Sequence, residues 1–201
     1  MSERLSLKFD TFLRLLRRID KNMSELLDAL RYSSGKLFEV SGYDDANIKL
    51  YLKDTLSETD GIVLYIDTAH TLTEPLVSDM LYSDIYKYDD ILKLLAMNGP
   101  QPDLVILDNF YNIAEKPKVS FAFFNIARIV SQRSYNLLFV NQDVYNFGPD
   151  KEKRKYIPQY DKLYRKYCSF RQVVYTKEAA KTTLNKIRFD YKIKTYGLSF
   201  G

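Results

Sequence analysis

The stretch GIVLYIDTAHT, residues 61 to 71, and its echo PDLVILDNF, residues 102 to 110, decide the fold. Each is a short apolar run bounded by Gly or Pro and rich in Ile, Val and Leu, and each stops at an aspartate, Asp67 in the first and Asp108 in the second. Strands buried on both faces of a parallel sheet read this way, because helices cover both sides and no position has to face water. In open α/β sheets ligands collect beyond the carboxyl ends of such strands. Two aspartates at two strand ends therefore mark a candidate crevice.

Working outward, KLFEVS (residues 36 to 41) predicts a strand ended by Gly42. The following residues carry Ile48, Leu50, Leu52 and Leu56 in an imperfect helical pattern before the strand over 62–66. A strand, crossover helix and strand imply a parallel sheet with a right-handed connection. Past Asp67, residues 73–81 predict a helix with Pro75 in its first turn. Residues 85–88 predict a short strand, and Asp89 or Asp90 is placed to cap a helix through Met97. NGPQP (98–102) is a turn, Val119 to Arg133 repeats Phe123, Ile126, Ala127 and Val130 at helical spacing, and NLLFV (136–140) is a further buried strand ending at Asn141-Gln142. Residues 145–167, broken by Gly148, Pro149 and Pro158, predict a long loop leading into a short helix. Three alternating stretches, 169–176, 182–189 and 191–198, predict half-buried antiparallel strands. Upstream, Phe9, Phe12, Leu13, Leu16 and Ile19 form one helical stripe, and Leu26, Leu27 and Leu30 continue it after Ser24. That stripe packs on the domain's own core or docks on another subunit. The expected architecture is a three-layer α/β/α domain with a mostly parallel sheet and antiparallel C-terminal strands, organised as an N-terminal helical segment (1–23) and a core domain (24–201).

Composition narrows the chemistry. At 201 residues the chain can bury a sizeable core, and no apolar run approaches the ~20 residues of a membrane helix. The opening residues have neither the apolar core nor the small-residue cleavage site of a secretory signal, and Cys168 is the one cysteine. An intracellular location is expected, in the nucleus of a eukaryote or the cytoplasm of an archaeon or virus-infected cell. One Cys and one His, His70, exclude a His/Cys zinc cluster, so any metal would sit on carboxylates. Charge is unevenly spread: residues 1–144 hold 16 Lys/Arg and 21 Asp/Glu, whereas residues 145–201 hold 14 and 5. A basic last third points to an anionic partner, the alternative being a solvated surface.

Several of these motifs, taken together, resemble the core ATPase domain of the RecA/RadA strand-exchange recombinase superfamily. GIVLYIDT is similar to the family's strand ending in Tyr-Ile-Asp-Thr-Glu, DLVILDN lies where its Walker B strand lies, and NLLFVNQ resembles the strand ending in Asn-Gln before the second DNA-binding loop. The resemblance implies a nucleotide site whose remnants are Gly42, Asp67, Asp108 and Gln142. It also implies that the site has lost its chemistry. A P-loop reads G-x-x-x-x-G-K-[ST], since backbone amides cradle phosphates, the Lys neutralises them and the hydroxyl holds Mg²⁺. The matching stretch here keeps only Gly42; Asn47 stands at the second glycine, Ile48 at the lysine and Lys49 at the hydroxyl residue, with Asp44 and Asp45 bringing negative charge to the phosphate position. Ala69 occupies the place of the glutamate that activates water, and His70 beside it is the remaining candidate base.

What is left intact is the basic stretch. Residues 145–171 interleave seven aromatics with eight cations, among them Lys151, Lys153, Arg154, Lys155, Lys162, Arg165 and Lys166, with Tyr156 at their centre. Cations that follow a phosphate backbone and rings that stack on bases are the chemistry of single-strand binding. The expectation is a non-catalytic recombinase paralogue, an inactive ATPase fold without cofactor or resident metal. It would serve as a DNA-binding assembly or mediator subunit in homologous recombination or DNA repair, beside another RecA-like subunit and off the membrane. The alternatives are a nuclease or phosphoesterase using Glu39, Asp67 and Asp108 to hold a divalent cation, and a purely structural partner subunit. The string Phe124-Asn-Ile-Ala127 resembles the recombinase oligomerisation motif but falls inside a predicted core helix.

Overall fold

A computed structural model describes residues 25–42, 45–59, 61–113, 118–146, 155–158, 160–176 and 191–196. The expected N-terminal segment and the predicted strand over 182–189 lie outside the described residues, as do Lys151, Lys153 and Arg154. Helical residues 25–31 (α1) lead to β1 (Leu37–Gly42), α2 (Asp45–Leu56), β2 (Val63–Asp67), β3 (Met80–Asp84), α3 (Tyr88–Ala96) and β4 (Leu104–Asp108). After a single 3-10 turn at Phe110–Asn112 come α4 (Val119–Val130), β5 (Asn136–Asn146), β6 (Lys155–Pro158), α5 (Asp161–Tyr167), β7 (Phe170–Thr176) and β8 (Tyr191–Tyr196).

The sheet runs in the order β3-β2-β4-β5-β1-β7-β8, with β6 paired to β5 alone. Its first six strands are mutually parallel. Because the chain crosses from β1 over two strand positions to β2, then returns to fill them with β4 and β5, the carboxyl ends of β2, β4, β5 and β1 stand side by side. Alternation along each strand divides the core into two layers. Phe38, Val40, Tyr65, Ile106 and Leu138 face α2 with Ile48, Tyr51, Leu52 and Leu56. Leu37, Ile66, Val105, Leu107, Leu137 and Phe139 face α3, α4 and α5, where Phe110, Phe123 and Tyr164 pack at ring separations of 4.8 to 5.4 Å. This is a three-layer α/β fold with a mostly parallel sheet.

Five local expectations are corrected. No helix forms over 73–81; β3 starts at Met80, and 85–88 is not a strand. The chain after β2 is instead held in a turn by the Asp67 carboxylate, which accepts from the backbone N–H groups of Ala69, Thr71 and Leu72. At α3 the N-cap is Lys87, not an aspartate, so Asp89 and Asp90 lie in the first turn, where they favour the helix dipole. Asn141-Gln142 does not end its strand, because β5 continues to Asn146 and pairs antiparallel with β6. Lys155 and Tyr156 therefore sit on a strand, and Pro158 is tolerated at that strand's end. Last, β7 runs parallel to its inner neighbour β1, and among the described residues only its outer pairing, with β8, is antiparallel; nor is it half-buried, since Phe170, Arg171, Gln172, Val173 and Val174 are all buried.

Candidate functional site

The crevice is organised by the two aspartates that end β2 and β4, neighbours in register. Both side chains share a face with Tyr65 and Ile106, the face that packs on α2. Asp67 is fully buried, with Oδ1 accepting from Ala69 N at 2.9 Å and Oδ2 from Thr71 N at 2.9 Å, Leu72 N at 3.0 Å and Tyr82 Oη at 3.2 Å. Burial pushes its carboxyl up, but these backbone donors, helped by the Lys49 charge, outweigh it and hold the group below the usual aspartate range. A carboxylate with this many donors is a structural pin for the turn.

Asp108 is in a different state. It is fully buried; Oδ2 accepts from Tyr65 Oη at 2.5 Å and Thr71 Oγ1 at 3.0 Å and lies 3.6 Å from Lys49 Nζ, while Oδ1 has no hydrogen-bond partner. Burial dominates, and although the Tyr65 hydroxyl and the Lys49 charge oppose it, the carboxyl is pushed up to about 6. The same burial, with Asp108 beside it, drives the Tyr65 phenol far above its ordinary range, so Tyr65 stays a donor. Thr68 Oγ1 ties the ends of the two strands by donating to the carbonyls of Asp108 and Asn109.

Lys49 links this pair to α2. Its ammonium lies 2.8 Å from Asp45 Oδ2, one helical turn back, and 3.6 Å from Asp108. The side chain is 12% exposed. The cation thus serves two carboxylates of the chain itself. The connection ahead of it is short: only residues 43 and 44 separate the end of β1 from the start of α2. Gly42 has a packing reason of its own, since a Cβ there would meet the Val174 carbonyl oxygen at 2.6 Å and Ile48 Cγ1 at 3.1 Å. Ile48, at the position the resemblance gives to the phosphate-binding lysine, is a fully buried core residue.

The other carboxylate is elsewhere. Glu39 projects from β1 to the opposite face, where it bonds the Arg171 guanidinium and accepts from Asn141 Nδ2 at 3.2 Å. Arg171 also reaches Asp161 at 2.8 Å, and Tyr164 Oη donates to Asn141 Oδ1 at 2.8 Å. Glu39, Asp67 and Asp108 are therefore not brought together, and among the described residues no three His, Cys, Asp or Glu side chains group to hold a metal ion. His70 is held at φ 52 by the turn, half exposed, with Nδ1 3.1 Å from Asp84 Oδ1 and its ring 5.0 Å from that of Tyr86. It faces Asp84 rather than the crevice aspartates.

Of the basic stretch, α5 is described with its side chains. Lys162, Arg165 and Lys166 lie on its exposed face. Arg165 pairs with Asp161 at 2.7 Å, and Lys166 lies 5.2 Å from the centre of the Tyr167 ring. Gln142 is exposed beside Gly42, on the same side of the sheet as Asp108. Lys155 and Tyr156 pair through their backbones with Asn146 and Tyr145. Arg171, expected as the eighth cation of the basic stretch, is instead buried against Glu39 and Asp161 and is not part of an exposed basic surface. The sequence alone singles out neither Thr71 nor Tyr82 as a partner of the aspartates, and gives Lys49 no partner. Two signals were available: Lys49 follows Asp45 at i,i+4, and Tyr65 precedes Asp67 at i+2 on one strand face.

No family model matches the chain, and no curated protein matches it. Among the described residues no helix is long and apolar enough to cross a membrane.

Proposed function

We propose that this protein is a non-catalytic RecA/RadA-like paralogue, a DNA-binding assembly or mediator subunit in homologous recombination or repair. The observation that carries this reading is the Lys49 ammonium bound between Asp45 and Asp108. It neutralises from within the carboxylate that, by the resemblance, would have faced a nucleotide's magnesium. With Ile48 buried at the position of the phosphate-binding lysine and Ala69 in place of the glutamate base, the described residues lack the two groups that the resemblance calls for in nucleotide turnover. Its polar residues tie β2, β4 and α2 together.

The work then falls to the basic surface. The exposed cations of α5, Lys162, Arg165 and Lys166, support a sequence-independent contact for a single strand, to which the sequence reading adds Lys155 and Tyr156. The partner is a second RecA-like chain whose own nucleotide site does the turnover. The test is titration of a labelled single-stranded oligonucleotide with wild-type protein and with Lys162→Ala/Lys166→Ala. The reading expects binding that weakens steeply with salt, weakens further in the variant, and ignores base sequence. A wild-type chain that binds no DNA at low salt refutes it.

A further inference from the structure

Beside α5, on the same side of the sheet, α4 presents an outward face whose two large rings no described residue buries. Phe121 and Phe124 are 62% and 50% exposed, although ten other residues of the same helix include five buried ones that already fill its core face. Lys118 precedes them and Arg128 follows, both exposed, at the three- and four-residue spacings that place side chains on one helix face. The helix contains no acidic residue. At its amino end a cleft of about 430 Å³ opens between Phe121 and the segment before α3, lined by Tyr86, Lys87, Tyr88, Ile113 and Lys118, with Asp89 its one acid among the described residues. Tyr86 is 53% exposed and is propped by the His70 ring at 5.0 Å. Tyr88 forms a fixed floor, its hydroxyl meeting Ala122 O at 3.4 Å and Asn125 Nδ2 at 3.3 Å.

Large rings left in water cost hydrophobic free energy, and here the two exposed rings are flanked by a cation at each end, Lys118 before them and Arg128 after. Phe123 joins the two helices, its ring 4.8 Å from Tyr164 and 6.0 Å from Tyr167. A protein partner would be met as well by aliphatic residues. Adjacent rings with a cation at each end, on a helix without an acid, match a polymer that carries flat bases on a charged phosphate backbone.

We infer that the outward face of α4 and the cleft at its amino end form a base-stacking surface for single-stranded nucleic acid, with Phe121 and Phe124 as the platforms and Tyr86 as the far wall. The inference rests on the DNA-binding reading above and extends its contact from α5 across α4. Lys87, Lys118 and Arg128 follow the backbone while the rings take the bases.

The experiment compares wild type, Phe121→Ala/Phe124→Ala and Phe121→Tyr/Phe124→Tyr by fluorescence anisotropy. The probes are a labelled oligothymidylate of about 20 nucleotides, longer than one typical site, and a matched abasic strand. Both phenylalanines are exposed, so the variants fold, which circular dichroism and the melting temperature check. Stacking predicts a loss of at least about 5-fold on the oligothymidylate for the alanine variant, little loss on the abasic strand, and recovery in the tyrosine variant. Unchanged affinity for the oligothymidylate, or equal loss on both probes, overturns the inference, whether the rings then meet a protein or solvent. If wild type binds and Lys162→Ala/Lys166→Ala weakens it while the phenylalanine variant does not, this inference alone fails. If wild type binds neither probe, the DNA-binding reading fails with it.

Discussion

Replacing Lys49 by methionine keeps the length of the side chain and removes the charge 3.6 Å from the buried Asp108 carboxylate. At an effective dielectric of about 20, Coulomb's law gives roughly 4 to 5 kcal/mol for that pair as an upper figure. A proton limits the loss. In the wild type Asp108 titrates at about 6, raised from 3.8. The folded state therefore binds more protons than the unfolded chain between those values, and this group makes stability fall as pH rises from about 3.8 to about 6, with no further change above. Without Lys49 the folded value climbs, and the fall continues to higher pH. The added destabilisation is then about 1.4 kcal/mol for each pH unit above about 6, or about 2 kcal/mol near pH 7.5. Near pH 5 Asp108 is protonated in both proteins, and only the i,i+4 pair with Asp45 separates them, at about 0.3 to 0.5 kcal/mol. The groups facing Asp108 are Lys49, Asp45, Tyr65 and Thr71, and only the first is changed. Urea denaturation followed by circular dichroism over this pH range measures the difference. A stability gap between the proteins that stays constant from about pH 5 to about 7.5 would refute the ion-pair account.

Three further outcomes follow from the geometry. Asp67→Asn leaves one acceptor oxygen for the N–H groups of Ala69, Thr71 and Leu72, so a loss of about 2 to 4 kcal/mol is expected in the same urea assay, with faster amide exchange at those residues. Because the Asp67 carboxyl is held low, the stability it contributes in the wild type is present above its unfolded value of 3.8 and is lost as pH falls through its folded value, a trend opposite to that from Asp108. Gly42→Ala drives a Cβ against the Val174 carbonyl oxygen and costs about 1 to 3 kcal/mol without altering any chemistry, seen as a lowered urea midpoint. Arg171→Met leaves Glu39 buried without its cation and costs about 3 to 5 kcal/mol, whereas the double change Glu39→Gln/Arg171→Met recovers much of that, as a double-mutant cycle would record.

Strands buried on both faces were legible because the residues they need are uniform: β1, β2, β4 and the first half of β5 fall within a residue or two of the runs that end at Gly42, Asp67, Asp108 and Gln142. What escaped was set by single polar contacts. The apolar residues Leu72, Leu76 and Val77 sit at a spacing compatible with a helix, and only the Asp67 side chain capturing three backbone N–H groups diverts that segment into a turn. β6 has four residues, includes a proline and owes its place to pairing with β5, so no local period announces it. The place of β7 was likewise invisible, since its apolar and polar alternation suggests one wet face, whereas the fold buries both by pairing Arg171 with Glu39 and Gln172 with Tyr51. At the crevice the aspartates were found by their position at strand ends. Their opposite protonation behaviour was not, because it depends on which donors the fold brings to each: backbone amides to Asp67, and one tyrosine, one threonine and one lysine to Asp108.

The central claim is that an internal ammonium has replaced nucleotide chemistry at the strand ends and that strand binding runs without it. Measuring phosphate release from ATP with Mg²⁺, in the presence of single-stranded DNA, while following DNA affinity in the same samples tests this most directly. The account predicts no phosphate release above the protein-free rate and the same DNA affinity with and without ATP. Turnover that is stimulated by DNA and abolished by Asp108→Ala would contradict it.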